Sequence, residues 1–144
     1  MQQNIEHGIK PLVDALNNTG MVKTFSSCEG HYTIDEQVLQ DRNKADVRFD
    51  PCENILLTEI EHFITYLITS FEIKFSFSPI TFISYKLYCP NDSFTPDFLF
   101  VFELKPFNRF STPDEKKRNT NKAIIQLSRL VEEYMLIYKK TSQS

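Results

Sequence analysis

Apolar residues recur along this chain with two different periods, and the switches between them mark out the elements. Ile9, Leu12, Val13 and Leu16 return at helical spacing, with Pro11 suited to a first turn and Gly20 placed as a left-handed stop. Met21 to Ser27 is rich in strand formers. Residues 29–44 are polar and without period, which predicts a long surface loop. Ala45, Val47 and Phe49 then alternate with Asp46 and Arg48, a half-buried strand ending at Pro51.

Leu56, Leu57, Ile60, Phe63, Ile64, Leu67 and Phe71 make a wide helical stripe. Ile73, Phe75 and Phe77 alternate with Lys74, Ser76 and Ser78, predicting a strand that Pro79 interrupts before a second one runs from Ile80 to Tyr88. Phe98 to Phe102 is apolar without a break, as in a central strand covered on both faces. Thr112-Pro113-Asp114-Glu115 offers an N-cap, a proline at the first helical position and a capping-box glutamate. The helix it opens carries Ala123, Leu127, Leu130, Val131, Tyr134 and Tyr138 as its buried stripe. The predicted order is α-β-β-α-β-β-β-α. It describes one α+β domain over residues 1–144, a two-layer sandwich of helices on a mostly antiparallel sheet.

Composition narrows the chemistry. With 144 residues, 41% hydrophobic and 24% charged, the chain has the size and make-up of one globular core. Thirteen Phe and no Trp predict a core built on phenylalanine. Three glycines, Gly8, Gly20 and Gly30, are too scattered for a phosphate-cradling loop, so Rossmann and P-loop nucleotide binding are excluded. No apolar run reaches the roughly 18 residues of a membrane span, and residues 1–6 have no export-signal pattern. Three cysteines, an odd number, fit reduced thiols and a cytoplasmic location.

The segment Thr24-Phe25-Ser26-Ser27-Cys28-Glu29-Gly30-His31 concentrates hydroxyls, a thiol, a carboxylate, an imidazole and a glycine at a strand end, where scaffolds present functional groups. Ser26, Ser27, Cys28, Gly30 and His31 are therefore the candidate ligand-binding residues, expected to share one cavity. Cys28-x-x-His31 has zinc-ligand spacing. Cys52, Cys89, His7 and His62 stand singly, however, and without a second paired knuckle the sequence predicts no metal site.

Net charge is −3, yet the stretch from Lys105 to Lys122 holds six basic residues against two acidic ones. Lys105, Arg109, Lys116, Lys117 and Arg118 form a candidate basic patch. Phe107 and Phe110 lie between them, a combination used in stacking on bases beside phosphate contacts.

Leu12-Val13-x-x-Leu16-Asn17, followed after Thr24 by Ser26-Ser27-Cys28-x-Gly30, resembles the N-terminal motif of the tRNA wybutosine-synthesis methyltransferase family. The resemblance runs without a gap from Leu12 to Gly30, and more weakly over Ile73 to Leu87. It implies methyl transfer from S-adenosylmethionine to a modified guanosine of tRNA, with the Ser26–Gly30 loop at the substrate or cofactor site. Where the family has Arg, this chain has His31, and beyond Lys105 it lacks the family's glycine-containing segment. The expected function is therefore a small binding domain for a nucleotide-like or RNA-derived ligand. The alternatives are a catalytically silent protein-interaction module and an S-adenosylmethionine-dependent methyltransferase.

Overall fold

A computed structural model describes residues 5–32, 43–107 and 111–142, with side chains to residue 138. Its elements are α1 (Lys10–Asn18), β1 (Val22–Cys28), β2 (Ala45–Pro51), α2 (Leu57–Lys74), β3 (Ile80–Tyr88), β4 (Phe98–Pro106) and α3 (Pro113–Ser142). The four strands form one sheet in the order β1-β2-β4-β3, and every neighbouring pair is antiparallel. Helices pack on one face, so the fold is the α+β two-layer sandwich that the alternating periods predict.

The core lies between that face and the helices. Val47 and Phe49 of β2, with Phe100, Phe102 and Leu104 of β4, meet Leu12 and Leu16 of α1, Phe63 and Leu67 of α2, and Ile124, Leu127 and Val131 of α3. Its phenylalanines interlock edge to face: Phe49 on Phe102, Phe82 on Phe102 and Phe71 on Phe82. Such contacts add to the burial of the rings themselves. β4 is central, and Val101, on its other face, is only 1% exposed. Helices cover only one face of β4, so the unbroken apolar run marks a central strand rather than one between two layers; Val101 is buried beside its sheet neighbours Arg48 and Tyr85. On the far face β2 presents Asp46 and Arg48, while β3 exposes Ile83, Tyr85 and Leu87 there.

One predicted element is corrected. The alternation Ile73-Phe75-Phe77 is no strand: α2 runs on to Lys74 and the chain then turns. Ile73 and Phe77 are 73% and 99% exposed, and only Phe75 folds back onto the core. A period of two needs a sheet neighbour to become a strand, and β4 already pairs with β3 over its whole length. The observed order is α-β-β-α-β-β-α. Tyr138, expected in the buried stripe of α3, lies on its exposed flank.

The ends of the helices follow their sequence signals. Gly20 takes φ 71° after α1, the left-handed stop. At α3 the Glu115 amide donates to Thr112 Oγ1 at 3.1 Å, while the Thr112 hydroxyl donates to the Glu115 carboxylate at 3.2 Å. None of the described helices is long and apolar enough to cross a membrane.

Candidate functional site at the end of β1

The unit α1-turn-β1 assembles this site through a difference in length. Nine helical residues span about 14 Å at about 1.5 Å each. Seven strand residues span about 23 Å at about 3.3 Å each. The two run side by side, locked near the turn by Asn17, whose amide accepts from the Thr24 N–H at 3.0 Å and donates to its hydroxyl at 2.9 Å. The strand therefore overshoots the start of the helix. The segment ahead of the helix, residues 5–9, comes to lie beside Cys28, Glu29 and Gly30.

Glu6 is the hub of that meeting. One carboxylate oxygen accepts from the Glu29 N–H at 3.1 Å, and the other lies 2.9 Å from His31 Nε2. Glu29 answers from the other side, its carboxylate accepting from the Gly8 N–H at 2.7 Å. Cys28 completes the group. One donor atom each from Glu6, Cys28 and His31 lie within 4.8 Å of one another, all on half-buried residues.

Gly30 turns the loop with φ 92° and is buried under the Tyr32 ring, which a Cβ there would strike. The conformation and the space both require glycine. Tyr32 in turn donates to Thr120 Oγ1 of α3 at 2.8 Å, and its burial pushes the phenol up to about 12. The loop is thus pinned to a helix from the opposite end of the chain.

The thiol is subject to opposed influences, with a backbone hydrogen bond at Gly30 favouring the thiolate and the other contributions opposing it. Burial pushes the Cys28 thiol up, and the nearby Glu6 and Asp46 carboxylates push the same way. Asp46, the cross-strand partner of Cys28, is itself raised by burial, against the pull of Arg48 and Lys44. A negative charge on Cys28 is disfavoured unless a cation enters.

The predicted residues separate into distinct places. Gly30 and His31 line a cavity of about 180 Å³ with Glu29, Tyr32, Pro113, Asp114 and Lys117. Cys28 is not part of that lining; it belongs to the Glu6 cluster. Ser26 pairs across strands with Arg48, and the buried Ser27 hydroxyl has no hydrogen-bond partner. Of the basic patch, Lys105 and Lys116 share a cavity of about 390 Å³ with Phe107, Pro106, Ile83, Thr81, Asn43 and Glu103. Lys117 faces the smaller cavity, Arg118 is exposed, and Arg109 lies outside the described residues.

Cys28 and His31 do converge, and Glu6, which sequence spacing did not nominate, joins them as a group that could hold a metal ion. Cys52, Cys89, His7 and His62 form no such trio among the described residues. His62 instead lies 3.0 Å from the Tyr134 hydroxyl through Nδ1. Glu6 was missed because motif reading looks along the chain, whereas Glu6 arrives by the overshoot of β1. The signal available was the mismatch between a nine-residue helix and a seven-residue strand joined by a tight turn.

No family model matches this chain, and neither a curated protein nor a solved structure matches it.

Proposed function

We propose that this protein is a small-ligand binding domain that takes a nucleotide-like molecule in the cavity between the end of the sheet and the start of α3. The observation that carries the reading is the convergence of Lys105 and Lys116 with Phe107, Ile83 and Pro106 around one space of about 390 Å³. That volume falls in the range of small-molecule sites, roughly 300–1,000 Å³. Two ammonium groups suit an anionic group such as a phosphate, and an exposed Phe ring suits the face of a base. Glu103 lines the same cavity but is held by Lys44 at 2.5 Å, which offsets its charge.

The resemblance over Leu12–Gly30 makes S-adenosylmethionine and a tRNA fragment ligands to include, with methyl transfer an outcome to be scored. A protein-interaction role has its own observation: Ile83, Tyr85 and Leu87 form an exposed apolar row along β3. Calorimetry with guanosine monophosphate, S-adenosylmethionine and a tRNA stem-loop, on the wild type and on Lys105→Ala and Lys116→Ala, decides between them. We expect nucleotide binding that each substitution weakens about tenfold or more, the scale of a lost charge-assisted hydrogen bond. Absence of binding to all three ligands, or binding that neither substitution weakens, overturns the reading.

A further inference from the structure

We propose that Glu6, Cys28 and His31 form a binding site for a zinc-class transition-metal ion. The site lies apart from the 390 Å³ cavity and stands independently of the nucleotide reading, because it shares no residue with that lining.

The donor set is the first argument. A thiolate sulfur, an imidazole nitrogen and a carboxylate oxygen are the three ligand types that zinc accepts. Three protein donors are the number found where a fourth position is left for water or another ligand. In a tetrahedral zinc site, with bonds of about 2.0–2.3 Å, ligand atoms stand roughly 3.4–3.7 Å apart. The three atoms here already lie within 4.8 Å of one another, and Glu6 and His31 are at 2.9 Å. To reach that spacing the Glu6–His31 contact would widen by about 0.5 Å and a separation as long as 4.8 Å would shorten by about 1 Å.

The second argument is how the site is held. The Glu6 carboxylate accepts from the Glu29 amide, Glu29 is tied to Gly8, and the loop beyond His31 is anchored through Tyr32 to Thr120. Ligands held by such outer contacts are pre-oriented for a metal. The third is charge. Asp46 sits across the strand pair from Cys28 and adds a second carboxylate beside that of Glu6, a negative setting that suits a divalent cation.

The test uses the full chain stripped of metal and then titrated with zinc or cobalt(II). One equivalent should bind, and cobalt should give a thiolate-to-metal charge-transfer band. Cys28→Ser should abolish that band. Glu6→Gln and His31→Ala should each weaken zinc binding by about tenfold or more, while Cys52→Ser and Cys89→Ser leave it unchanged. Absence of the cobalt band, or zinc binding that survives Cys28→Ser, overturns the proposal. Should the variants fold poorly, footprinting of the wild type with a thiol reagent decides. Zinc must protect Cys28 and leave Cys52 and Cys89 reactive; a Cys28 labelled at the same rate with and without zinc overturns it equally.

Discussion

Tyr32 donates its phenolic hydrogen to Thr120, 88 positions along the chain and 2.8 Å away, in a contact sealed from water. The bond fastens the loop after β1 to the first half of α3. Removing one partner strands the other, which costs about 1–3 kcal/mol for a buried polar group. Tyr32→Phe should therefore lower the free energy of unfolding by that amount in urea denaturation. Tyr32→Phe combined with Thr120→Val should recover part of the loss, because no buried hydroxyl is then left alone. An undiminished Tyr32→Phe protein would show that the contact contributes nothing.

The same tyrosine sets a pH limit. Its phenol is pushed from 10 up to about 12 by burial, so the fold favours the neutral form. A raised pKa adds stability that is complete below pH 10 and disappears as pH climbs through 12. The difference in stability between the wild type and Tyr32→Phe should shrink over that window. Ultraviolet titration near pH 11 should show nearly the same number of ionised tyrosines in the native wild type and in Tyr32→Phe, because the ring removed is one that stays mostly neutral there. A gap between wild type and variant that stays constant from pH 9 to pH 12 would refute the assignment.

Gly20 and Gly30 both sit at positive φ but should respond differently to alanine. At Gly20 a Cβ meets nothing within 4 Å, so only the backbone strain of about 1–2 kcal/mol is felt. At Gly30 the Cβ would also meet the Tyr32 ring, and overpacking adds roughly 1–3 kcal/mol. Thermal or chemical denaturation of Gly20→Ala and Gly30→Ala should rank Gly30→Ala as clearly worse. Equal losses would mean that the ring moves aside freely.

All three cysteines are free thiols, and Cys28 should be the slow one in metal-free protein. The thiolate is the reacting species, and burial with Glu6 and Asp46 alongside holds Cys28 protonated. Stopped-flow labelling at pH 8 should give a slow phase that vanishes in Cys28→Ser, with three thiols titrating after denaturation. A slow phase that persists in Cys28→Ser would place the hindered thiol elsewhere.

Phe107, exposed at the mouth of the larger cavity, separates binding from stability. Phe107→Ala should leave the melting midpoint nearly unchanged, within about 0.5 kcal/mol, because little of the ring is buried. Nucleotide affinity should fall, since a stacked base contributes about 1–3 kcal/mol. A variant that melts earlier and binds normally would make Phe107 a packing residue.

The helices and all four strands were readable, β1 from its strand-forming residues and the others from their apolar patterns and physical terminators. Pro113 and Glu115 open α3 as their types require, and Pro51 closes β2. Ile73 to Phe77 misled because alternation records an intention to be half-buried, and the partner strand it needed was taken. The site was legible in part. Cys28, Gly30 and His31 stand out as unusual types at a strand end, and the structure places them at the end of β1 and in the loop after it. Glu6 was illegible as a motif because it is brought in by tertiary geometry. The split of the basic patch was equally hidden, since Lys116 and Lys117 are neighbours in sequence but point from a helix about 100° apart.

The position of β1 in the sheet has a mechanical consequence. β2 and β4 are hydrogen-bonded along both sides, whereas β1 is held by β2 alone, and its register slips between Thr24 and Ser26. A bulge of this kind bends a strand and sharpens its local twist. Beyond it Ser26, Ser27 and Cys28 stay paired with Arg48, Val47 and Asp46, so the sheet edge changes direction without coming apart. An edge strand still opens at less cost than a central one, and amide exchange should be faster in β1 than in β4.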